Sequence, residues 1–303
     1  MASLDWPGET AGLSYTADAG FIQPASNICL DFHGDPLRAR LVVASDGNHH
    51  MALRDVLAAF LAANPGVGDI FYSTTPPSVA LQWLSAGHVD VGNLRLSARP
   101  HVLISPPPVL EQAMAGGHMD GYRPFMRSRG LALLVRKGNP KGIVGAGDLL
   151  RADVRLFLSN PVREKVSHAV YRLGLQDLAA AEGVVLPFLD DPSAPPDPAK
   201  LVLGAAIHHR EAPQAVADGV ADVAVVFYHL ALRYQRIFPG LFEFVQSAPW
   251  VEERAGGTGR TDCGLVGDGG AWGAALLDFL ATDSVTRIYR AHGLERMAGQ
   301  TAP

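Results

Sequence analysis

The sequence predicts an α/β fold in which helices cover both faces of a parallel sheet. Three observations lead to this prediction. Apolar runs of strand length alternate with segments whose apolar residues recur at helical spacing. Gly, Pro, Asn and Asp separate these segments, as they do in turns. The chain has 303 residues, 48% of them apolar, which is enough for two domains or one large one.

The first elements follow one another closely along the chain. Residues 37–45 form a β-rich run that stops at the turn signal Asp46-Gly47. Residues 51–66 follow, with apolar residues spaced for an amphipathic helix that ends at an Asn-Pro-Gly sequence. The strand 69–75 then precedes two prolines and the predicted helix 78–87, because proline suits the first turn of a helix.

The same alternation continues towards the C-terminus. Further strands are predicted at 88–94, 101–107, 130–140, 151–161, 201–210 and 221–229. Further helices are predicted at 108–117, 162–174, 211–219 and 270–293, the last as one or two helices. Gly174 is expected to end the second of these helices, since glycine commonly follows a helix.

Composition and motifs narrow the range of functions. The net charge is −5 and there is no basic stripe, so no nucleic-acid partner is expected. No apolar run approaches about 18 residues, so no direct membrane insertion is expected. The N-terminus lacks the features of a signal peptide. The protein is therefore expected in the periplasm if an upstream leader was removed, and otherwise in the cytoplasm. Common hydrolase, metalloprotease, dinucleotide and P-loop motifs are absent from the sequence.

Four turns between an apolar run and a helix are unusually polar. Ligands of open α/β sheets bind at the carboxyl ends of strands, and helix N-termini there attract anions. Arg210 would add a planar fork suited to an oxyanion, and Tyr228 a phenol at the end of a strand. The predicted ligand-binding residues are Ser45, Asp46, Gly47, Asn48, His49, Ser73, Thr74, Thr75, Asn160, His208, His209, Arg210 and Tyr228. Helix capping is the alternative role for polar residues at such turns.

The histidines leave three interpretations open. Neutral imidazoles that converged with Asp46 would suit a divalent transition metal. The candidate metal ligands are His33, His49, His50, His208 and His209. Without a metal, these histidines would hydrogen-bond the ligand directly, or would serve only in capping and packing. No other cofactor is expected, and no catalytic residue is assigned.

Five stretches, in order, carry a family resemblance over about residues 38–296. They are LVVASDGNHHMALRDVLAAFLAANPG, FYSTT, LLVRKGNPKGIVGAGDLLRADVRLFLSNP, APQAVADGVADVAVVFY and LLDFLATDSVTRIYRAHGLE. The third is the most specific, because a strand, Gly-Asn-Pro, a helix at Asp-Leu-Leu and a strand ending at Asn-Pro recur there. On these stretches the chain resembles the type 2 periplasmic-binding-protein superfamily, nearest to the molybdate/tungstate-binding components of ABC importers.

The resemblance implies an α/β architecture of two Rossmann-like lobes, with mixed, mostly parallel sheets joined by crossing hinge strands. The ligand would lie between the lobes, which would close on it by a hinge motion. The expected organisation is an extended N-terminal arm at 1–36, lobe I at 37–124 and 238–303, and lobe II at 125–237.

The resemblance also carries over individual residues. The first-turn serine of the family corresponds to Ser45, and its second-strand hydroxyls correspond to Ser73 or Thr74. The second-lobe turn corresponds to the region after Asn160. The helix before the fifth strand corresponds to His209-Arg210, and the strand-end tyrosine corresponds to Tyr228. Two acidic residues depart from the family pattern: Asp46 follows the first serine, and Glu164 stands close to the second-lobe turn. Both would repel a tetrahedral dianion unless a proton or a cation intervened.

Solute binding is therefore the expected function. The protein would capture a small anionic or polar ligand, oxyanion-like or carboxylate and with or without an associated metal, and would catalyse no reaction. The membrane subunits of an ABC importer are candidate partners. One alternative is a cytoplasmic enzyme on the same bilobed fold, with a His/Asp/Glu metal or acid–base site. Another is a sensor domain that signals to a separate partner.

Overall fold

A computed structural model describes residue 4 and residues 31–91, 93–189, 197–205, 208–246 and 259–297. The chain divides into two compact units. The split unit comprises Pro7–Arg127 and Arg260–Pro303, and the middle unit comprises Ser128–Gly259 with Met1–Trp6. Of the predicted arm at 1–36, residues 1–3 and 5–30 lie outside the described residues.

Strands and helices alternate through both units. The strands are β1 (Phe32–His33), β2 (Leu41–Ser45), β3 (Ile70–Thr74), β4 (Val89–Val91), β5 (Leu94–Leu96), β6 (Val102–Ser105), β7 (Arg123–Ser128), β8 (Leu131–Arg136), β9 (Leu156–Leu158), β10 (Leu201–Leu203), β11 (Val223–Phe227), β12 (Phe242–Gln246), β13 (Arg260–Leu265) and β14 (Leu294–Arg296). The helices are α1 (His50–Ala63), α2 (Pro77–Ala86), α3 (Pro107–Ala115), α4 (Lys165–Ala181), α5 (His208–Ala217), α6 (Tyr228–Ile237), α7 (Gly273–Leu280) and α8 (Asp283–Ala291).

The split unit is built on a mixed sheet with the strand order β1-β3-β2-β6-β13-β7-β14. Strand β2 is parallel to both β3 and β6, whereas β1 and β13 pair antiparallel with their neighbours. Helices connect the parallel strands, as such crossovers require. The carboxyl ends of β2, β3 and β6 therefore lie at one edge of the sheet, called here the split-sheet edge.

Helices cover both faces of this sheet. On one face, the α1 face, α1, α7 and α8 pack through side chains such as Leu53, Leu276 and Tyr289. On the other, the α2 face, α2 and α3 pack through Trp83 and Leu110. Burial on both faces explains why these strands are uninterrupted apolar runs in the sequence.

The middle unit has a second mixed sheet, with the strand order β10-β9-β11-β8-β12. Strand β9 is parallel to β10 and β11, and β8 is antiparallel to β11 and β12. Helices α4, α5 and α6 pack against these strands. In the part of the chain that the structure describes, no helix is both long and apolar enough to cross a membrane.

Three element boundaries in the middle unit differ from the sequence prediction. Helix α4 continues past Gly174 to Ala181, because Leu175 and Leu178 are buried and their packing outweighs the roughly 1 kcal/mol cost of a helical glycine. The predicted strand 201–210 is a strand only to Leu203, and His208 begins α5. Tyr228 lies in the first turn of α6 instead of ending a strand.

The units also divide the chain at other positions than the predicted lobes. The described boundaries fall after Arg127 and after Gly259, where lobe II was predicted at 125–237. The largest difference concerns the strand Phe242–Gln246, which pairs along its whole length with β8. The turn signal Pro239-Gly240 precedes this strand in the sequence, and its pairing with β8 assigns it to the middle unit.

Candidate functional site

The polar residues at the split-sheet edge follow from strand register. Ser45 at the end of β2 is level with Thr74 on β3 and with Ile104 on β6. The next residues, Asp46, Thr75 and Ser105, therefore lie level with one another on three adjacent strands. Neighbouring strands are about 4.8 Å apart, so Asp46 lies between two hydroxyl side chains.

Side-chain alternation divides the edge residues between the two faces. Ala44, Phe71 and Leu103 point to the α2 face, where they join its core. Residues two positions further along an extended strand are expected to point to the same face, so alternation assigns Asp46, Ser73, Thr75 and Ser105 to the α2 face. Asp46 has extended backbone angles, and Thr75 precedes a proline, which favours extended backbone. Ser45 and Thr74 point to the opposite, α1 face.

The hydroxyls on the α1 face are used in a local network. The Ser45 hydroxyl donates to the Asp46 carbonyl at 3.1 Å and lies 3.1 Å from His49 Nε2. His49 Nδ1 is 2.7 Å from the Tyr289 hydroxyl, and burial raises the pKa of that phenol well above its usual value. A chain in which Tyr289 donates to Nδ1 and Nε2–H donates to Ser45 satisfies each of these groups.

His33 completes the polar contacts on the same face. Its Nε2 is 3.2 Å from Thr74 Oγ1, and its ring stacks on Tyr72 with a centroid separation of 4.5 Å. Burial lowers the pKa of His33 to about 4, so its imidazole is neutral at pH 7. The polar groups of Ser45, Thr74, His33 and His49 therefore all have hydrogen-bond contacts within the protein.

In the described part of the chain, four buried side-chain atoms assigned to the α2 face lack hydrogen-bond partners. Asp46 Oδ2, Ser73 Oγ, Thr75 Oγ1 and Ser105 Oγ have no hydrogen-bond partner among the described residues. The four residues are at most 4% exposed. An unpaired buried polar group costs about 1–3 kcal/mol, so four of them at one edge require an explanation such as a bound water, ion or ligand.

Asp46 is the one carboxyl group in this row. Its Oδ1 accepts a hydrogen bond of 2.9 Å from the Asn48 N–H, and the Thr261 hydroxyl lies nearby. Burial raises the pKa of the Asp46 carboxyl to about 6, against the smaller opposing effects of Asn48 and Thr261. The group can therefore be protonated or ionised near neutral pH.

Helices α2 and α3 begin with prolines beside this row. Pro76 and Pro77 open α2, and Pro106 and Pro107 open α3. Proline has no N–H, so the N–H donors that a helix N-terminus usually offers an anion are missing at these positions. The serine and threonine hydroxyls supply hydrogen-bond donors in their place.

One arginine lies next to the row without having been predicted from the sequence. Asp262 on β13 is level with Ser105 on β6. The fully buried Asp262 carboxylate accepts hydrogen bonds from Arg260 at 2.7 and 2.5 Å, and the Arg260 side chain is 25% exposed. Arg260 therefore neutralises the buried Asp262 carboxylate.

The middle unit has a smaller polar group at its own strand ends. Ser159 follows β9 directly, and its hydroxyl has no partner within the described part of the chain. His208 Nε2 donates to the Val225 carbonyl at 2.7 Å, which leaves Nδ1 as an unpaired acceptor. Burial lowers the pKa of His208 to about 4, so this ring is neutral at pH 7.

Carboxylates of the protein already bind N–H groups at the start of α5. The His208 N–H lies 3.1 Å from both carboxylate oxygens of Glu164, whose pKa is raised by burial. Glu211 Oε2 accepts a hydrogen bond of 2.6 Å from the Ala205 N–H. The helix terminus that was predicted to bind an anion therefore has Glu164 in contact with it.

The remaining predicted residues of the split unit have structural positions. A Cβ atom on Gly47 would lie 2.9 Å from the Thr74 carbonyl, so glycine allows a close approach there. Asn48 is exposed to solvent. His50 Nδ1 donates to the Gly47 carbonyl at 2.8 Å.

The remaining predicted residues of the middle unit also have local roles. The Asn160 amide donates to the Gly204 carbonyl at 2.9 Å and accepts from the N–H groups of Val162 and Arg163. The His209 carbonyl accepts a hydrogen bond from Tyr234, and Arg210 is half-buried. The Tyr228 ring lies 5.0 Å from the Arg129 guanidinium, a cation–π contact.

The candidate metal ligands do not form a metal centre among the described residues. No three His, Cys, Asp or Glu side chains of this part of the chain are grouped as a metal site requires. His33, His49 and His50 belong to the split unit, and His208 and His209 to the middle unit. The ring nitrogens of His49 are both engaged by hydroxyls.

Sequence reasoning missed Ser105 and placed too little weight on Ser159. A signal for Ser105 was present, because Ser105-Pro106-Pro107 repeats the pattern of Thr75-Pro76-Pro77. In both segments a hydroxyl residue ends or follows a strand, and two prolines then open a helix. The repeated pattern predicts two equivalent strand ends at one edge.

Comparisons with known proteins agree with this fold. The model of a family described as bacterial extracellular solute-binding proteins matches residues 41–295. The substrate-binding domain of a putative molybdenum ABC transporter from Clostridium difficile shares 13% identity, with a TM-score of 0.59 over 85% of this chain and 98% of that one. No curated protein matches the sequence.

Two further solved structures share the fold. The sulfate-binding protein from Mycobacterium tuberculosis is 16% identical, with a TM-score of 0.56 over 86% of this chain and 88% of that one. The periplasmic molybdate-binding protein from Azotobacter vinelandii is also 16% identical, with a TM-score of 0.52 over 86% of this chain and 100% of that one. With a family model matched over most of its length, the chain belongs to the bacterial extracellular solute-binding proteins.

Proposed function

We propose that this solute-binding protein binds a small oxyanion at the α2 face of the split-sheet edge. The observation that carries the proposal is the row of buried, unpartnered polar atoms on Ser73, Thr75, Asp46 and Ser105. Three of these four residues are hydroxyl donors, and oxyanion oxygens are strong acceptors. The fold also resembles proteins whose names describe sulfate and molybdate binding.

The hydrogen-bonding chemistry favours a small polar ligand over a bulky apolar one. Serine and threonine hydroxyls rotate to meet an acceptor, and burial strengthens their hydrogen bonds to a charged ligand. The prolines that open α2 and α3 remove competing backbone donors at these positions.

Family membership supports a role in transport across the cell envelope. We place the protein on the extracytoplasmic side, in the periplasm, with the membrane subunits of an ABC importer as its partners. The family description supports this placement. The enzyme alternative has no support from the family, and the His49 ring that it would need is held by Ser45 and Tyr289.

Calorimetric titration with molybdate, tungstate, sulfate and phosphate tests the proposal. We expect the wild-type protein to bind at least one of these anions. Ser73→Ala and Ser105→Ala should each weaken that binding about 10- to 100-fold, the worth of one hydrogen bond to a charged group. Ser85→Ala is the matched control, because Ser85 is exposed on α2.

Two results would contradict the proposal. One is a folded wild-type protein that binds none of the four anions. The other is an anion affinity that Ser73→Ala and Ser105→Ala leave as unchanged as Ser85→Ala does. Thermal unfolding of each variant verifies that the protein used in the titration is folded.

A further inference from the structure

We propose that strand β1 forms one wall of the anion site, and that Phe32 on this strand shields the Ser73 end of the row from water. This inference rests on the proposed function. It adds a residue that sets the affinity for the ligand by acting through Ser73 and not on the ligand itself. Phe32 was not among the residues predicted to bind the ligand.

Strand β1 turns β3 into an inner strand of the sheet. In the order β1-β3-β2, β3 would be the edge strand if β1 were absent, and its outer backbone groups would be open to water. The Thr74 N–H instead donates a hydrogen bond of 2.8 Å to the Asp31 carbonyl. The first residues of β1 therefore close the split-sheet edge on the side of β3.

Two further contacts hold the other end of β1 against β3. Gly34 has a φ of +83°, and a Cβ atom there would overlap the Ile70 carbonyl oxygen, so only glycine allows this approach. The Asp35 N–H donates a hydrogen bond of 2.8 Å to Asp69 Oδ2. Although β1 has only two residues, it is thus fixed on both sides of its ladder.

Strand register places Phe32 beside Ser73. The two residues are partners on the antiparallel strands β1 and β3, so their side chains point to the same face with Cβ atoms about 5 Å apart. The Phe32 ring stacks on Phe71 with a centroid separation of 6.0 Å and meets Trp83 edge-on at 6.3 Å. Both partners belong to the core of the α2 face. Phe32 therefore covers the face to which alternation assigns the Ser73 hydroxyl.

Exclusion of water determines how much the Ser73 hydroxyl can contribute to binding. Ser73 is fully buried although it lies only one strand from the edge of the sheet, and its Oγ has no partner among the described residues. A hydroxyl binds a charged acceptor more strongly in a dry environment than where water competes for it. Loss of the Phe32 ring would admit water to this hydroxyl and weaken its hydrogen bond to the anion.

A double-mutant cycle on the full chain tests whether Phe32 acts through Ser73. The ligand is whichever of molybdate, tungstate, sulfate and phosphate the wild type binds most tightly. Phe32→Ala should lower its affinity about tenfold in calorimetric titration. Ser73→Ala should cost about 10- to 100-fold in the wild type but less than about threefold in the Phe32→Ala background. General damage to the core would leave the cost of Ser73→Ala equal in the two backgrounds.

Two single variants separate shielding from a loss of packing. Phe32→Leu keeps an apolar side chain over Ser73 and should bind the anion within about threefold of the wild type. Val266→Ala is the matched control, because Val266 packs against the same α2-face core. Its N–H donates to the His101 carbonyl at the start of β6, so it lies at the opposite end of the sheet. Its substitution should leave the affinity unchanged, and a melting curve of each variant confirms the folded state.

Thiol labelling tests the shield without any anion. In a Cys29→Ser background, Ser73→Cys should react with a methanethiosulfonate reagent at least about tenfold faster when Phe32→Ala is also present, because thiol reactivity follows exposure. The native Cys263 is buried and should not react. Ser85→Cys is the control at an exposed position and should label at the same fast rate with and without Phe32.

The outcomes distinguish this inference from the proposed function. An equal cost of Ser73→Ala in both backgrounds, or an equal labelling rate of Ser73→Cys with and without Phe32, would overturn the inference while the oxyanion function stands. A folded wild-type protein that binds none of the four anions would overturn the proposed function, and the role of Phe32 in anion affinity with it.

Discussion

The two faces of the split-sheet edge have the same kinds of residue but opposite hydrogen bonding. On the α1 face, Ser45 and Thr74 each contact a histidine. On the α2 face, the equally buried Ser73 and Thr75 have hydroxyls without a partner in the described structure. Ser45 and Thr74 are level with each other on adjacent strands, and Ser73 and Thr75 flank Thr74 in the sequence. Both faces therefore carry one serine and one threonine, and residue type cannot explain the difference in hydrogen bonding.

The difference shows how one strand end can carry both hydrogen-bonded and unpaired hydroxyls. Consecutive residues of a strand point to opposite faces, so a Ser-Thr-Thr sequence supplies both. The α1 face meets His49, His33 and Tyr289, which satisfy its hydroxyls. The α2 face meets helix termini that begin with proline and offer few groups to bond. Whether a buried polar group is hydrogen-bonded within the protein thus depends on the element that faces it.

The largest test of the comparison is the removal of His49 from the α1 face. His49→Ala should lower the free energy of unfolding by about 4 kcal/mol, because it opens a cavity and leaves Ser45 and Tyr289 without their partner. Denaturant unfolding measures this change. His50→Ala is the control and should cost about 1 kcal/mol, since that ring is only half-buried. Equal costs for both histidines would contradict a structural network on this face.

A test of similar size addresses Asp46 on the α2 face. Burial raises its pKa from 3.8 to about 6, so between these pH values the folded chain holds a proton that the unfolded chain has lost. Stability from this group therefore falls by about 3 kcal/mol as the pH rises from about 4 to 6.

The contribution of Asp46 is measured as a difference between two proteins. His33 and His208, with pKa values lowered to about 4, lose stability in the opposite direction, as the pH falls from about 6.5 to 4. Their effects cancel when the unfolding free energy of Asp46→Asn is compared with that of the wild type at each pH. The advantage of the wild type should shrink by about 3 kcal/mol from pH 4 to pH 7. A difference that does not vary with pH would mean that Asp46 is ionised throughout.

The smallest and most direct test compares two serines. Ser45→Ala should lower the unfolding free energy by about 1–2 kcal/mol, because it leaves His49 Nε2 unpaired. Ser73→Ala should leave stability unchanged or raise it by up to about 1 kcal/mol, since that hydroxyl has no partner to lose. Both residues are fully buried, so thermal unfolding of the two variants compares substitutions at equally buried positions. A similar loss in both would mean that the two faces do not differ.

Much of the fold could be predicted, because burial on both faces leaves a strong pattern. The strands at Leu41–Ser45 and Ile70–Thr74 and the helices α1 and α2 lie close to where apolar spacing predicted them. Helix α6 and the strand Phe242–Gln246 were not predicted. Helix α6 follows its strand without a turn residue at Phe227-Tyr228, so no local signal marks the change.

The candidate site was predicted less completely than the fold. The polar strand ends were located, and Asp46, Ser73 and Thr75 among them have unpaired atoms. Ser45, Thr74 and Asn160 instead contact groups of the protein itself. The sequence around His49 does not indicate its hydrogen-bond partner, because Tyr289 is 240 positions away.

The sequence alone determined the α/β alternation, the family resemblance and the polar chemistry at the strand ends. Spacing and turn residues are local properties, and they depend little on what packs against them. Tertiary structure alone decided which of those polar groups are satisfied, because hydrogen bonds at a strand end depend on the element that faces it. The same edge therefore holds a hydrogen-bonded network of Ser45 and His49 and, from the residue after Ser45, the unpaired atoms of the row around Asp46.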